Sequence, residues 1–551
     1  RVPPRRGAGV EAVIPPLPAA QVPRVGIFAD AALQPRWVLE AIGRAVASGC
    51  ATVAWVLTPQ RETGAQAPVL WRAYCRADQA LFGGGSDWTV PRDVRLVAPR
   101  SRRAEMDGSG DWEARVREAD LDVALVLGDI DDARIAPLAR YGAWRFFFGE
   151  AQGTNAPLAG LREVLDRSPV TASGIRIHVA DGKPDRIAYQ SWSRTCAFSV
   201  AKSRDAIFAK TAEFLARSLR DLQAGGARWL AECTEVARPR SAERFPSTPQ
   251  VLRDISRMGA RVAMRAAQKA LTVEEWAIAY RFCDQESWNG SLEGFHRLDP
   301  PKGWFWADPF PIQVNGRNYI FFEELPLGSD RAHISVVEVD RAGNASKPVK
   351  VLERPYHLSY PFLVEEDGRL YMIPETGHNN TVEIYRCVDF PTQWKLERVL
   401  LKDIFCCDTT LHREGDRWWM FTNAAAHGAD VNDELHLFSA DRLLGDWRPH
   451  RRNPVKSDVR SARPAGRLFR NGSQLYRPGQ IGAPHYGAGI ALHQVKRLTQ
   501  DEYVEEEESR IMPPDKGVPG QARSDVVLGI HTINRAGDLS VTDAFMRRSR
   551  F

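Results

Sequence analysis

Seven stretches in the second half of the chain each set ionisable or strongly polar side chains into an otherwise apolar run. Asp308 lies in Trp304-Phe-Trp-Ala-Asp-Pro-Phe310, and Glu323 and Glu324 end the run that begins at Tyr319. His357 belongs to Tyr356-His-Leu-Ser-Tyr-Pro-Phe362, Glu375 follows Tyr371-Met-Ile-Pro, and Asp408 follows Ile404-Phe-Cys-Cys. Arg463 sits in Ser461-Ala-Arg-Pro just after Arg460, and Arg477 and Gln480 sit in Leu475-Tyr-Arg-Pro-Gly-Gln. An unpaired buried carboxylate costs several kcal/mol, so such a set implies either mutual pairing or a binding pocket. Two carboxyl groups in different surroundings are what glycosidic-bond chemistry needs, one as acid and one as base or nucleophile. Asp308, Glu375 and Asp408 are the catalytic candidates. Trp306, Glu324, His357, Tyr360, Arg460, Arg463, Arg477 and Gln480 are the substrate-binding candidates, the aromatic ones offering flat faces for sugar rings. No His or Cys pair has metal-ligand spacing, so no metal site is expected.

The elements that must bring these residues together show as a repeat. Asn315-Gly-Arg-Asn-Tyr319, Asp367-Gly-Arg-Leu-Tyr371, Glu414-Gly-Asp-Arg-Trp418 and Asn471-Gly-Ser-Gln-Leu-Tyr476 each put a tight turn before an aromatic strand, and Ala536-Gly-Asp-Leu is a fainter fifth copy. Asp/Asn-Gly supplies the positive φ that hairpin turns require. Hairpins recurring about every 50 residues indicate a β-propeller, the alternative being unrelated hairpins in a sandwich. The innermost strands of a propeller converge on its axis, where polar residues distant in sequence can meet.

The first half reads differently. Val25-Gly-Ile-Phe-Ala29, Ala51–Leu57, Val123–Gly128 and Arg145–Gly149 are short apolar runs separated by helical patterns, which predicts a parallel sheet with helical crossovers. A hairpin over Val170–Ser193, turning at Asp181-Gly-Lys-Pro, lies beside it, and a helical region follows from Arg204 to Ala237. The expected organisation is a flexible arm over residues 1–22, an α/β Rossmann-like domain over 23–237, a linker and basic helix over 238–274, and an all-β five-bladed propeller over 275–551.

A net charge of +5 on 551 residues lacks the footprint of a nucleic-acid binder and suits a sugar nucleotide or acidic glycan. Eight scattered cysteines and the lack of a long apolar run predict a cytoplasmic protein without a transmembrane segment. Gly83-Gly-Gly-Ser lacks the frame of a phosphate cradle. Glu505–Glu508 and Met546–Arg550 read as solvated charge runs, and His378, His427 and His485 as loop residues rimming a pocket.

The motifs FWADPFP, YIFFEE, HISVVEVD, YHLSYPFLVEEDGRLYMIPE, DTTLHREGDRWWMFTN, NPVKSDVRSARPAGRLF and LYRPGQ resemble, over about Phe295–Tyr503, the propeller domain at the N-terminus of the glucosamine inositolphosphorylceramide transferases. That domain in turn resembles the five-bladed propellers of arabinanase- and invertase-like glycosidases. The resemblance implies Asp308 as base or nucleophile, with Asp408 and Glu375 as candidates for the acid and for the carboxylate that tunes it. The first half resembles the formyltransferase fold through Val25-Gly-Ile-Phe, Leu121–Gly128, Arg140–Gly149 and Pro169-Val-Thr. That family places Asn and, two residues on, His after the fourth strand, with a more distant Asp. Here Arg145 and Phe147 occupy those positions, and Asp181 or Asp185 is the available Asp, which implies that formyl transfer is lost.

The reading that follows is a carbohydrate-active protein of the glycosyltransferase type, working in cell-surface glycan or glycolipid biosynthesis. Its sugar site is in the propeller, and a nucleotide sugar is the donor such chemistry would use. The alternatives are a propeller glycoside hydrolase, a non-catalytic glycan-binding scaffold and a sugar N-formyltransferase. No cofactor is called for, and the oligomeric state is not set by the sequence.

Overall fold

In the computed structural model of the protein the described residues are 21–60, 67–83, 88–106, 111–149, 156–180, 182–238, 245–283, 294–425, 429–513 and 526–549. Asp181, His427 and most of the Gly83-Gly-Gly-Ser loop lie outside them. The chain divides into two compact units, Arg1–Ser191 with Cys196–Met258, and Trp192–Thr195 with Gly259–Phe551.

The first unit is built on an eight-stranded mixed sheet. Its strands are β1 (Arg24–Ala29), β2 (Thr52–Pro59), β3 (Arg102–Met106), β4 (Val123–Leu127), β5 (Ala143–Phe148), β6 (Val170–His178), β7 (Asp185–Arg194) and β8 (Thr234–Val236), in the order β8-β7-β6-β5-β4-β1-β2-β3. The run from β3 to β5 is parallel, and β6 joins β5 antiparallel. The predicted parallel core is therefore present, with the hairpin β6–β7 extending it. Val123–Leu127 is buried at every residue, because a strand covered on both faces must be apolar throughout. Strand β3, Arg-Arg-Ala-Glu-Met, escapes the pattern: it is an edge strand with charged side chains, which do not register as an apolar run. The helix Arg36–Ala47 covers the sheet through Trp37, which packs edge-on against Phe146 and Phe148, and the helix Phe214–Glu232 through Trp229, whose ring lies 5.9 Å from that of Trp144.

The second unit is a five-bladed β-propeller. Four blades are consecutive meanders: Trp304–Val314 to Leu352, Ser359–Glu366 to Lys402, Cys406–Glu414 to Ser457, and Phe469–Asn471 to Ile511. The fifth blade is composite: His296–Leu298 pairs with Thr272–Phe282, which pairs with Leu539–Ser549, and that last strand also pairs with Val526–Gly529 and Ile533–Ala536. The recurring turns have one function, since each joins the innermost strand of its blade to the second. Asn315 and Gly316 (φ 51° and 75°) and Asp367 and Gly368 (φ 52° and 69°) take the paired positive φ values of a type I′ hairpin. The apolar faces between blades merge into cores such as Phe310, Phe321, Tyr360, Phe362, Ile373 and Tyr385.

Gly479 marks the tightest approach within a blade near the axis. A Cβ there would lie 2.3 Å from the Ser461 carbonyl oxygen and 3.0 Å from Arg477 Nη1. Gly479→Ala is expected to push the inner strand of the fourth blade off the second and cost about 2 kcal/mol or more, read as a lowered denaturant midpoint. An unchanged midpoint would show that the blade relaxes freely.

Candidate active site at the propeller axis

The innermost strands share one irregularity. Pairing to the second strand slips between Ala307 and Phe310, between Ser359 and Phe362, and between Cys407 and Thr410. The first residue in each slip is left-handed: Asp308 at φ 52°, Tyr360 at 45° and Asp408 at 49°. Such a bulge re-aims a side chain out of the sheet, here toward the axis. In the fourth blade Gln480 N donates to Arg463 O and Ala465 N to Pro478 O, which puts Arg463 at the matching position. In the fifth the slip lies between Gly529, paired to Phe545, and Ile533, paired to Thr542, which puts His531 there. Each blade thus contributes one residue to an axial ring: Asp308, Tyr360, Asp408, Arg463 and His531. Opposite the slips, the second strands place Glu323, Glu375, Asn423 and Gln480 beside the ring.

The ring is wired by charge. Arg463 grips Asp408 with two bonds, Nε to Oδ2 at 2.6 Å and Nη2 to Oδ1 at 3.1 Å. Gln480 Nε2 adds a third donor to Oδ2 at 2.5 Å. Arg463 also lies 3.5 Å from Glu375 Oε2, donates from Nη1 to Asn432 Oδ1 at 3.0 Å, and stacks over Tyr486. Glu375 Oε2 accepts the backbone N–H of Asp408 at 3.2 Å, and no donor among the described residues reaches Oε1. Asp308 Oδ1 takes Thr532 Oγ1 at 2.7 Å and lies 3.0 Å from His531 Nε2, while no donor among the described residues reaches Oδ2. Glu323 pairs with His357 across 3.2 Å. Tyr360 shares a 2.8 Å bond with Thr410 and accepts the Gly466 N–H at 2.7 Å.

These contacts set the proton affinities. Burial, with Asp308 and Glu375 nearby, pushes Asp408 up to about 8 against the pull of Arg463. Burial also works to raise Asp308, but His531, Thr532 and Arg463 outweigh it and hold the carboxyl below its usual value. For His357, burial opposes the charge, and Glu323 and Glu375 overcome it to lift the imidazole to about 9.

Other candidates fall elsewhere. Glu324 turns to the opposite face of its strand from Glu323, as period-2 alternation requires, and accepts from Trp306 Nε1 at 3.0 Å and Ser335 Oγ at 2.6 Å beside His333 at 3.0 Å. Arg477 is wholly buried against Glu505 at 2.7 Å, with Lys456 2.6 Å from the same carboxylate. Glu505 is therefore a buried ion-pair partner, which corrects its expected place in a solvated run. The strand carrying it turns that side chain inward. Arg460 forks onto Asp458 at 2.7 Å. Sequence reasoning missed His531, Thr532 and Asp543. Three ligand atoms of Asp308, His531 and Asp543 lie within 4.8 Å of one another, and the two carboxylates pair as ions with different nitrogens of the ring. In the first unit a cavity of about 410 Å³, lined by Arg36, Glu40, Arg44 and Arg92, contains none of the candidates.

The fold and this ring define the class: a five-bladed β-propeller with an acid–base cluster on its axis. Within it, residues 300–522 match the family described as glucosamine inositolphosphorylceramide transferase 1, N-terminal, and the resemblance carried by the FWADPFP-to-LYRPGQ motifs is borne out. The chain is 34% identical over 206 residues to glucosamine inositolphosphorylceramide transferase 1 of Arabidopsis thaliana, covering 37% of this chain and 27% of that protein. It is 34% identical over 205 residues to the same-named protein of Oryza sativa subsp. japonica, covering 36% and 27%. It therefore spans about a quarter of the length of these curated relatives. Among solved structures it is similar to Zg3597, a family 117 glycoside hydrolase of Zobellia galactanivorans, with 13% identity, TM-score 0.33, and coverage of 49% of this chain and 90% of that one. It is also similar to the catalytic domain of a Coprinopsis cinerea GH62 α-L-arabinofuranosidase, with 12% identity, TM-score 0.36, and coverage of 49% and 96%.

Proposed function

We propose that the protein is carbohydrate-active and transfers a sugar in the building of a cell-surface glycan or glycolipid, with the axial ring as the sugar site and a nucleotide sugar as donor. The family match over residues 300–522 supports the carbohydrate class. The observation that carries the site is the unequal bonding of the axial carboxylates. Asp408 has both oxygens taken, whereas Asp308 and Glu375 each keep one without a donor among the described residues. In this reading Asp308, held ionised, is the base or nucleophile, Glu375 takes the role of the acid, and Asp408 positions Arg463. His357 and Tyr360 line the same ring, with Gln480 behind Asp408. A cytoplasmic setting belongs to the same proposal.

A second reading is favoured by one observation. Arg463 neutralises Asp408 and approaches Glu375, the arrangement expected of a glycan-binding propeller without turnover. For the first unit we propose a formyltransferase-type fold without formyl transfer. Arg145 is committed to Asp132 at 2.6 Å, Phe147 is buried, and Asp185 is paired with Arg176 at 3.2 Å and His178 at 2.9 Å.

The test is a panel of nucleotide sugars and oligosaccharides with product detection by mass spectrometry. Sugar transfer that falls about 100-fold or more in Glu375→Gln is the expected result. Water as the only acceptor would replace transfer by hydrolysis. Binding without products in the wild type would overturn catalysis in favour of the second reading.

A further inference from the structure

His531 presents both ring nitrogens to carboxylates, Nδ1 at 2.8 Å from Asp543 Oδ2 and Nε2 at 3.0 Å from Asp308 Oδ1. An ionised carboxylate only accepts, and a neutral imidazole has only one N–H to give. Both contacts are therefore ion pairs of a charged ring, and the angle at Nδ1 makes no hydrogen bond. Asp543 does more than balance that charge: its Oδ1 takes the backbone N–H of His531 at 2.9 Å and of Thr532 at 3.2 Å, and its Oδ2 takes that of Asp308 at 3.1 Å. One carboxylate therefore fixes the backbone of two ring members, Asp308 of the first blade and His531 of the fifth, and reaches the former across 235 residues of sequence. All three side chains are buried.

We propose that His531 and Asp543 are a positioning pair: an imidazolium clamped between two carboxylates, which keeps Asp308 ionised and turns one of its oxygens toward the axis. This rests on the reading of Asp308 as the base or nucleophile of a sugar-transferring site. Thr532 bonds Oδ1 and His531 faces the same oxygen at 3.0 Å, so Oδ2 is the oxygen left to act. The surroundings agree. Trp276, at 4.2 Å between ring centroids, and Tyr486, at 5.1 Å, pack on the imidazole without adding charge, and Arg463 acts on Asp308 from the fourth blade. Burial alone would discharge His531, but Asp543 and Asp308 outweigh it and lift the imidazole to about 10. Both members of the pair lie beyond the 300–522 stretch that matches the transferase family.

The consequences have definite signs. A histidine raised to about 10 contributes stability in full below its unfolded value near 6.5 and loses it as pH climbs toward 10. Asp308, held low, stays active into mild acid. In Asp543→Asn the imidazole loses its second counter-charge, so Asp308 becomes easier to protonate. The acid limb of kcat/KM then moves to higher pH, by about one unit, with KM little changed.

The experiment uses the full chain labelled with [15N]histidine, with His531 assigned by its disappearance in His531→Gln. Both ring nitrogens of His531 are expected to remain protonated at pH 8, and to titrate near neutrality in Asp543→Asn. A neutral His531 at pH 7 in the wild type overturns the proposal whether or not turnover is found. Imidazolium signals with an unmoved acid limb reduce the pair to a structural clamp and also overturn it. Imidazolium signals in a protein that turns over no sugar sink the reading of the site, and with it the positioning role. Should Asp543→Asn fail to fold, Thr532→Val removes one donor from Asp308 Oδ1 and is expected to shift the acid limb the same way by a smaller amount.

Discussion

Replacing Arg463 by methionine is expected to cost the protein about 3–5 kcal/mol and lower the thermal midpoint by about 10 °C at pH 7. Asp408 is fully buried, and two of its three side-chain donors come from Arg463. Without the guanidinium, a buried carboxylate faces the Asp308 and Glu375 carboxylates with only Gln480 to solvate it. The chain can relieve this by protonating Asp408, already pushed to about 8 with Arg463 in place. A carboxyl raised in the folded state binds its proton more tightly than in the unfolded chain. With Asp408 already near 8 in the wild type, the deficit should stay level below pH 8 and widen as pH climbs above it. Arg463→Met/Asp408→Asn, which removes both charges, should recover most of the loss, because an absent buried pair costs far less than half of one. Thermal unfolding of the three proteins at about pH 7 and about pH 9 decides it. A single variant as stable as wild type at both values would show that Asp408 reaches water.

Asp308→Asn is the second large effect. The amide keeps the size of the carboxylate but carries no charge and no basic lone pair to attack or deprotonate. If Asp308 is the base or nucleophile of sugar transfer, kcat should fall about 1,000- to 10,000-fold while sugar binding survives. The change also replaces an acceptor facing His531 Nε2, so the imidazole loses one of two reasons to be charged. A modest loss of thermal stability, largest below about pH 6.5 and fading as pH climbs toward 10, is expected beside the large loss of rate. Retained turnover in Asp308→Asn would move the chemistry to Glu375 or off the ring altogether.

The propeller was legible because its turns have a steric requirement that few residues meet. Asn315-Gly and Asp367-Gly announce their hairpins, and the aromatic strands after them are placed by the turn. Asp308, Asp408 and Arg463 were legible as polar residues in apolar strands, and all three are in the ring. The ring as a ring was not, because its members stand six to nine residues ahead of their turn glycines, with no fixed offset from blade to blade. His531 was the hardest: it lies in Ile530-His-Thr-Ile533, after the motif-rich stretch, and its meaning comes from Asp308 and Asp543. Adjacent Glu323 and Glu324 show a second limit. Strand alternation says that they face opposite ways but not which faces the axis, and only packing against Trp306, His333 and Ser335 decides it. In the first unit the buried strands were readable from their apolar runs, and the charged edge strand Arg102–Met106 was not.

The composite fifth blade bears on how the protein is made. A ribosome delivers Thr272–Phe282 early and its partner Leu539–Ser549 some 260 residues later. At about 5–20 residues per second the first strand waits for many seconds with its edge open. During that interval four blades can form, but the ring holds only Asp308, Tyr360, Asp408 and Arg463. A nascent chain arrested before Val526 lacks both the closing strand and the imidazole that faces Asp308. Unfinished copies should thus be inert toward sugar and sticky at one exposed strand edge, which marks them for chaperones rather than for work.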